Sequence, residues 1–317
     1  MTGVETSESR RFAIIGVAGY IAPRHLNAMR SLGCDLVAAH DVFDSVGMID
    51  GYFPRAYFTS DPDDFRRRMV AGRAEFLTVC TPNYLHCTHT VTGLEAGLDV
   101  ICEKPLALTL DELSRMETCS RAAGRRVFPI LQLRLHPEIE RLKRMVDCDP
   151  PPTIYDVDLT YIPPRGSWYA ASWKGDPCKS GGVAANIGIH FIDMLHWIFG
   201  PVEKVVLHHS SPECSAGFLQ LKGARVRYFL SVNAAHRPSP NDNPMSPYRH
   251  LVINGEEFDF TNGFTDLHTL SYERILAGRG FAVEDTACAV HTLDMLQKSA
   301  AVGLTGDYHP LLRNLQG

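Results

Sequence analysis

The first half of the chain alternates between short apolar runs and amphipathic stretches with helical spacing. The apolar runs predict five strands, at residues 11–16, 35–40, 75–80, 99–103 and 125–132. The amphipathic stretches predict four helices, at residues 23–33, 61–72, 84–97 and 109–124. Strands that alternate with helices in this way predict a parallel sheet with right-handed crossovers.

The second half follows a different pattern, in which short strands succeed one another with turns between them. Strands are predicted at residues 153–162, 203–209, 216–222, 224–232, 249–254 and 256–260, and Gly223 marks a hairpin. Helices are predicted at about 186–199, 266–278 and 284–301. The pattern changes near residues 149–152, and a largely antiparallel sheet follows. We assign residues 1–135 to a first domain and 136–317 to a second.

Composition narrows the class of protein. The 317 residues are 45% hydrophobic and 21% charged, with a net charge of -5, which is ordinary for a two-domain globular protein and argues against nucleic acid as a partner. Nine cysteines without a Cys-x-x-Cys pair indicate neither a metal site nor a disulfide framework. The N-terminus has no apolar signal region, and no apolar run is long enough to span a membrane. We expect a cytoplasmic protein.

A phosphate-binding turn is the first candidate site. Gly16, Ala18 and Gly19 follow the first strand, where small residues let backbone N–H groups approach a pyrophosphate. Asp41 ends the second strand, where a carboxylate binds the ribose of an adenosine, and no arginine follows it, which favours NAD over NADP. The alternatives are a tight turn without a ligand and a solvated acid.

Unusual residues also follow the third and fourth strands. "TPNYLH" occupies residues 81–86, and Glu103-Lys104-Pro105 closes the fourth strand. Ligands of open parallel sheets bind beyond the carboxyl ends of the strands, so both segments are predicted to border the cofactor. A surface Glu-Lys pair before a helix is the alternative interpretation.

The stretch "GGVAANIGIH" (181–190) leads from two glycines into an apolar helix. On the local pattern alone, His190 is either a reacting group or a buried histidine bonded to a carbonyl. A third interpretation is a metal site, because His190, Asp193 and His196 step by three along a helix. No supporting cluster accompanies that spacing, and we predict no metal.

The phosphate turn, "TPNYLH", "EKP" and the Gly-Gly…His stretch occur in this order in the Gfo/Idh/MocA oxidoreductase family, which the chain resembles over nearly its whole length. The resemblance implies an α/β protein, with a Rossmann NAD-binding domain and an open-faced, mostly antiparallel C-terminal sheet that forms a homotetramer. It implies that Lys104 and His190 flank the reacting carbinol. The residues assigned to NAD are Gly16, Ala18, Gly19, Tyr20, Ile21, Asp41, Thr81, Pro82, Asn83, His86, Glu103, Lys104, Gln132 and Trp173.

Longer stretches, among them "GYIAPRH", "SWKGD", "NIGIHFIDML" and "GFTDLHTLSYERILAGRGF", resemble the UDP-N-acetyl-D-glucosaminuronate 3-dehydrogenases of O-antigen biosynthesis (WlbA/WbpB type). The implied reaction is NAD-dependent oxidation of the sugar C3 hydroxyl, with 2-oxoglutarate as a candidate for recycling the cofactor. Two alternatives stay open. One is a dehydrogenase of neutral UDP-N-acetylglucosamine, and the other is a non-catalytic NAD-bound sugar sensor.

Alcohol oxidation needs a base and a group that steadies the oxygen, and Lys104 and His190 suit these roles as a pair. We favour His190 as the base, although either residue fits. The residues assigned to the UDP-sugar are Lys104, Arg134, Arg165, Tyr169, Asn186 and His190. The wider family often has aspartate where this chain has Asn186, so the amide is predicted to bind sugar hydroxyls rather than to act as a base.

Overall fold

The structure is a computed structural model that describes residues 9–238 and 246–315; the polar stretch at 1–8, on which part of the signal-peptide prediction rests, lies outside the described residues. The chain divides into two compact units. The first comprises Met1–Leu106, Ser114–Ile130 and Asp266–Val283. The second comprises Ala107–Leu113, Leu131–Thr265 and Glu284–Gly317. Each unit therefore contains segments that are distant in sequence.

Two six-stranded sheets organise the described residues. The strands of the first sheet are β1 (Arg11–Ile15), β2 (Asp35–His40), β3 (Tyr57–Thr59), β4 (Phe76–Val79), β5 (Asp99–Cys102) and β6 (Val127–Pro129). The strands of the second are β7 (Tyr155–Ile162), β8 (Val202–Ser210), β9 (Cys214–Leu221), β10 (Ala224–Ser231), β11 (Tyr248–Ile253) and β12 (Glu256–Glu257).

Helices lie between and after these strands. They are α1 (Ala22–Ser31), α2 (Pro62–Ala71), α3 (His86–Glu95), α4 (Leu110–Ala123), α5 (Pro137–Cys148), α6 (Trp168–Ala171), α7 (Pro177–Ser180), α8 (Ile189–Phe199), α9 (Leu267–Leu276) and α10 (Ala287–Lys298).

The first sheet has the order β3-β2-β1-β4-β5-β6, and all its neighbours are parallel. This confirms the predicted parallel sheet, and β1 lies at its centre between β2 and β4. The core packs on that central strand, where Phe12 stacks on Phe76 with ring centroids 4.8 Å apart. Tyr272 of α9 is fully buried in the same core, so α9 belongs to this unit despite its late position in the chain.

Local signals set the helix ends as the sequence predicts. Gly33 follows α1 with a φ of 68°, the left-handed conformation that a helix-ending glycine adopts without strain. Asp61 caps α2 by accepting hydrogen bonds from the N–H groups of Asp63 and Asp64. The Thr109 hydroxyl accepts from Glu112 N, and the Glu112 carboxylate accepts from the backbone near the start of α4, which confirms the predicted capping box.

The second sheet has the order β12-β11-β7-β10-β9-β8. Four of its five neighbouring pairs are antiparallel, and β7 with β10 is the parallel exception. The hairpin predicted at Gly223 is confirmed, since Leu221 pairs with Ala224 across the turn. The predicted apolar face of α8, formed by Met194, Leu195 and Ile198, is buried in the core of this unit.

Four elements, β3, α5, α6 and α7, were not predicted, and α6 and α7 have only four residues each. β3 has three residues, too few for an apolar period to show. α5 begins at Pro137 after His136, whose Nδ1 accepts a hydrogen bond from Glu138 N at 3.2 Å. Histidine is not one of the usual capping residues, so the start of α5 carried no familiar signal.

Among the described residues, one mostly helical stretch, Pro177–Phe199, is long and apolar enough by composition to cross a membrane. The sequence had predicted no such stretch. Its most apolar window is 78% buried within the protein, and a core helix of a globular domain meets the same criteria. The stretch is therefore weak evidence for a membrane span.

Candidate active site

The turn after β1 leaves no room for side chains. Gly16 has a φ of 85°, and a Cβ atom there would lie 2.6 Å from the carbonyl carbon of Cys80 and 2.7 Å from Thr81 N. A Cβ at Gly19 would lie 3.0 Å from the Gly16 oxygen. The two glycines therefore allow the backbone to pack tightly against the end of β4. Because glycine has no side chain, the backbone N–H groups before α1 can be approached closely by a ligand.

Asp41 is tied to this turn. One carboxylate oxygen accepts a hydrogen bond from Ala18 N at 2.9 Å, and the other accepts from Phe43 N at 3.0 Å. Val42 and Phe43 beside it are 75% and 68% exposed. A carboxylate next to exposed apolar side chains suits an adenosine, whose ribose offers hydroxyls and whose base offers a flat apolar face. Gly16, Gly19 and Asp41 thus fit a dinucleotide cofactor.

Two other residues of the predicted NAD set belong to the same turn. Tyr20 is 87% exposed, and Ile21 is the capping residue of α1, with only its backbone in that role. An exposed tyrosine at the start of a helix is free of packing constraints within its unit. Both residues remain predicted cofactor contacts.

The segment after β4 is held by two histidines of α3. His86 is buried, and its ring nitrogens lie 2.7 Å from the Pro105 carbonyl oxygen and 2.8 Å from that of Thr81. The Thr81 hydroxyl bonds to Nδ1 of His89 at 2.9 Å. Burial lowers the pKa of His89 to about 4, so this ring is neutral at pH 7. His86 therefore links the Thr81 segment to the "EKP" segment, a bracing role that differs from direct contact with a cofactor.

Pro82 and Asn83 complete that segment. Pro82 precedes a short turn of helix that begins at Asn83, and the Asn83 side chain is buried. Their assignment to NAD stays a prediction.

Glu103 lies at the end of β5 and is only 4% exposed. Its Oε1 is 3.0 Å from Nε2 of His25 and 3.0 Å from Nε2 of His268. Its Oε2 accepts a hydrogen bond from Lys104 N at 3.2 Å. The carboxylate is therefore committed within the first unit, which favours a supporting role for Glu103 over the predicted contact with NAD. Lys104 itself is partly exposed at the end of the strand.

In the second unit, the Gly-Gly…His stretch adopts an irregular entry to α8. Gly181 and Gly182 have φ values of 77° and 78°, and a Cβ at Gly181 would lie 2.6 Å from that of Ala185. A π-helical turn, Ala184–Gly188, then leads into α8. Turns of this kind are frequent at functional sites because the extra residue redirects side chains. His190 follows in the first turn of α8 and is partly exposed.

Asn186 lies in that π-helical turn and donates a hydrogen bond from Nδ2 to the Tyr169 hydroxyl at 2.7 Å. Burial raises the pKa of Tyr169, and Asn186 and Arg165 oppose the rise. Two residues that were assigned to the substrate for separate reasons are thus direct neighbours. Together they present an amide oxygen and a phenolic oxygen, both of which bind hydroxyl groups.

Arg134 is committed to an ion pair. Its guanidinium contacts Asp193 in a bidentate manner at 2.7 and 3.0 Å, and Asp285 at 3.0 Å, with both Arg134 and Asp193 buried. Burial lowers the pKa of Arg134, but the two aspartates outweigh it and the net shift is upward. Binding of a substrate anion by Arg134 would require these bonds to break, so a structural role is favoured.

The same contacts bear on the metal interpretation. Asp193 is bonded to Arg134, and His196 bonds to the Thr292 hydroxyl at 2.7 Å and the Gly200 carbonyl at 3.2 Å. Both side chains are therefore engaged in hydrogen bonds within the second unit, and the absence of a metal at these residues stays a prediction.

Three other predicted residues differ in their surroundings. Gln132 has a buried Oε1 with no partner among the described residues, an acceptor that a bound donor group would satisfy. Trp173 lies under Lys174, whose Nζ is 4.3 Å from the ring centroid. Burial and the charge of Arg165 lower the pKa of Lys174. Arg165 is exposed, and its assignment to an anionic group of the substrate stays a prediction.

Sequence reasoning missed His25, His268 and Tyr272 around Glu103, and Asp285 beside Arg134. His25 and His268 lie in stretches that already carried the closer resemblance, "GYIAPRH" and "GFTDLHTLSYERILAGRGF". The available signal was a histidine on the buried side of a predicted helix, where a polar group needs a partner. The identity of that partner was not available from the sequence.

Comparison with known proteins places these residues in context. Residues 10–130 match the Gfo/Idh/MocA oxidoreductase family model for the NAD-binding Rossmann fold, and residues 151–239 match its C-terminal alpha/beta domain. The WlbA (WbpB) dehydrogenase from Thermus thermophilus is 40% identical, covering 95% of this chain and 99% of its own, with a TM-score of 0.90; it was crystallised with NAD and UDP-GlcNAcA. A second crystal structure of that enzyme, with a TM-score of 0.91, contains NAD and alpha-ketoglutarate.

A more distant relative is the D-glucoside 3-dehydrogenase of Escherichia coli (strain K12). It is 26% identical over 218 residues, which cover 66% of this chain and 60% of that enzyme. The chain thus spans less than two thirds of this curated relative. The similarity extends the match to dehydrogenases that act on sugars.

Proposed function

Because the chain belongs to the Gfo/Idh/MocA oxidoreductase family, we propose that it oxidises the C3 hydroxyl of UDP-N-acetyl-D-glucosaminuronate to the 3-keto sugar nucleotide. The chain is an NAD-dependent oxidoreductase at the level of its family. The observation that carries the proposed substrate is the 40% identity, over 95% of the chain, to a dehydrogenase crystallised with UDP-GlcNAcA.

The reaction removes a hydride from C3 and a proton from the C3 hydroxyl. When bound, NAD supplies the hydride acceptor. In the proposed mechanism, His190 takes the hydroxyl proton, since an imidazole titrates near neutral pH. Lys104 donates a hydrogen bond to the same oxygen as it becomes a carbonyl. Either residue suits the base role chemically, and we favour His190.

Other residues are assigned to the substrate. The Asn186–Tyr169 pair offers oxygen atoms to the sugar hydroxyls, and the exposed Arg165 offers a bidentate donor to a phosphate or carboxylate. The guanidinium nitrogens of Arg134 are paired with Asp193 and Asp285. The predicted role of Arg134 in substrate binding is therefore an indirect one, through the residues around it.

Two further features belong to the proposal. We infer that 2-oxoglutarate recycles the cofactor, in support of which the Thermus thermophilus enzyme was crystallised with alpha-ketoglutarate. We also infer a cytoplasmic homotetramer that supplies an O-antigen or lipopolysaccharide pathway. Light scattering of the purified protein tests the tetramer directly.

The decisive test is incubation with UDP-N-acetyl-D-glucosaminuronate, NAD and 2-oxoglutarate, followed by mass spectrometry of the sugar nucleotide. A product two hydrogens lighter supports the proposal. A parallel reaction contains UDP-N-acetylglucosamine in place of the uronate. Faster turnover of this neutral sugar would overturn the proposed substrate, and no turnover of either would overturn the proposed reaction.

The assigned roles predict the behaviour of two variants. Lys104→Ala and His190→Asn should each lower kcat by about 100-fold or more, the usual range for loss of acid–base or oxyanion contacts. Lys298→Ala and His291→Asn, which alter exposed side chains of α10, are matched controls and should retain normal turnover. Near-normal kcat in either test variant would remove that residue from the mechanism.

A further inference from the structure

The surroundings of Glu103 point to a role for residues that no motif assigns. We propose that Glu103 is a positioning residue that, with His25 and His268, fixes the backbone of Lys104 for turnover. The inference rests on the proposed function in that Lys104 is taken to act in the reaction. Its evidence lies wholly within the first unit and is independent of any bound ligand.

The Glu103 carboxylate is surrounded by hydrogen-bond donors. A carboxylate can only accept hydrogen bonds, so Nε2 of His25 and Nε2 of His268, each 3.0 Å from Oε1, must both donate. Lys104 N donates to Oε2 at 3.2 Å. Glu103 is thereby held by three N–H groups, and the third belongs to the residue whose position matters for the chemistry.

The positions of the protons in this hydrogen-bond network are fixed. Burial lowers the pKa of His25, although Glu103 opposes this, so His25 is a neutral ring whose Nδ1 is an acceptor. Tyr272 lies 2.9 Å from that Nδ1 and 2.8 Å from the Thr78 hydroxyl. Tyr272 therefore donates to His25 and accepts from Thr78. Each of these groups is oriented by the next, which leaves Glu103 little freedom to rotate.

The Glu103 carboxyl group is ionised. Burial alone raises the pKa of Glu103, but the hydrogen bonds from His25 and His268 outweigh it and hold the pKa well below its usual range. Glu103 is therefore anionic at neutral pH. A buried anion is costly unless every lone pair is satisfied, and apolar residues of equal volume often stabilise a core as well. Stability alone thus gives no reason to keep a carboxylate at this position.

The residues that hold Glu103 come from several elements of the first unit. The donors come from α1, which contains His25, and from α9, which contains His268 and Tyr272. Thr78 adds β4, the strand beside β5. The Glu103 carboxylate is therefore held directly from α1 and α9, and indirectly from β4 through Tyr272 and His25. A misplacement of about 1 Å at a reacting group can cost about 100-fold in rate, which is the scale on which such support acts.

The same three side chains form a candidate metal cluster, because their ligand atoms lie within 4.8 Å of one another. In the structure both histidine nitrogens are already at hydrogen-bond distance from Oε1 of Glu103. The positioning role and a metal site make different predictions, so metal analysis is included in the test.

The experiment compares variants of α9 in the full-length enzyme. His268→Leu removes the donor to Glu103, and His268→Gln restores an N–H near the position of Nε2. Ser271→Ala is the matched control, because this buried hydroxyl of α9 donates to the Leu267 carbonyl in its own helix, away from Glu103. Each protein is measured for its thermal unfolding midpoint, NAD affinity and the pH profile of turnover.

For His268→Leu we expect kcat to fall by about 30- to 100-fold while the KM for NAD changes less than about threefold. The acid limb of the kcat profile should keep its pH, since protonation of His190, the proposed base, sets it and His190 is unchanged in these variants. His268→Gln should recover kcat to within about fivefold of the wild type, and Ser271→Ala should match it. If His268→Leu does not fold, Glu103→Gln replaces it, and a kcat within about threefold of the wild type in that variant overturns the proposal.

A second readout separates this inference from the proposed function. The rate at which an amine-reactive reagent labels Lys104 is followed by peptide mass spectrometry, with exposed Lys298 as internal reference. A change of more than about threefold in His268→Leu supports positioning even if no sugar nucleotide is turned over. Unchanged labelling and unchanged kcat overturn it, as does a stoichiometric divalent metal in the purified wild-type enzyme.

Discussion

The two units bury a charge in opposite ways. In the first, the Glu103 carboxylate is surrounded by N–H groups of His25, His268 and the Lys104 backbone. In the second, the Arg134 guanidinium is paired with the carboxylates of Asp193 and Asp285. One charge is held by dipoles and the other by opposite charges.

The difference has a physical meaning. A charge held by dipoles keeps its field, so it still acts on a neighbour such as Lys104. A charge held by opposite charges has its field largely cancelled, and what remains is a rigid, directional clamp. The first arrangement is suited to a site that performs chemistry, and the second is suited to joining α8 to the short turn that carries Arg134.

The largest expected effect is on the clamp. Arg134→Met leaves Asp193 buried without its cation and should lower the free energy of unfolding by about 3–5 kcal/mol. Chemical denaturation measures the loss. Arg141→Met, which breaks an exposed pair with Glu138, is the control and should change stability by less than about 1 kcal/mol. If Arg134→Met behaves like this control, the clamp does not exist in solution.

An intermediate effect is expected at the dipole-held charge. Glu103→Gln keeps the shape of the side chain but offers one acceptor oxygen to three donors, so one buried donor loses its partner. The expected loss is about 1–3 kcal/mol of stability. Glu138→Gln on the exposed face of α5 is the matched control. A loss at Glu103 as large as that at Arg134 would remove the distinction between the two arrangements.

The smallest expected effect is on the pH dependence of stability, and it comes from histidines that are buried in their neutral form. Burial lowers the pKa values of His89, His196 and His309 from 6.5 to about 4. The unfolded chain therefore binds more protons between those values, and stability should fall as the pH falls from 6.5 towards 4. His196→Gln should reduce the slope of this loss by up to about 1.4 kcal/mol per pH unit. An identical slope in denaturation series of both proteins would contradict the neutral burial of His196.

Much of the fold could be predicted because its signals are local. The alternation of period fixed the parallel sheet, Gly33 and the Thr109–Glu112 box fixed helix ends, and Gly223 fixed a hairpin. The three-residue strand β3 and the histidine-capped helix α5 escaped because short strands and unusual caps leave little pattern. The parallel pairing of β7 with β10 also escaped, since adjacency in sequence favours hairpins.

In the candidate site, too, the residues that belong to local motifs could be predicted and the long-range pairings could not. The glycine turn, Asp41 and the Asn186 stretch could be located because each is a short motif at the end of an element. The partners of Glu103 and Arg134 could not, since they are separated from them by 78, 165, 59 and 151 positions. Pairings at that range follow from tertiary packing, which a single sequence does not display.

The late position of α9 has a consequence for synthesis of the chain. His268 is made 165 residues after Glu103, which at about 5–20 residues per second is a delay of roughly 8–33 s on the ribosome. During that interval the sheet of the first unit can form, but its buried carboxylate lacks one donor and its core lacks Tyr272. The core of the nascent first unit therefore cannot be completed until α9 has been synthesised. A chain that terminates before α9 would expose this incomplete core to chaperones and proteases.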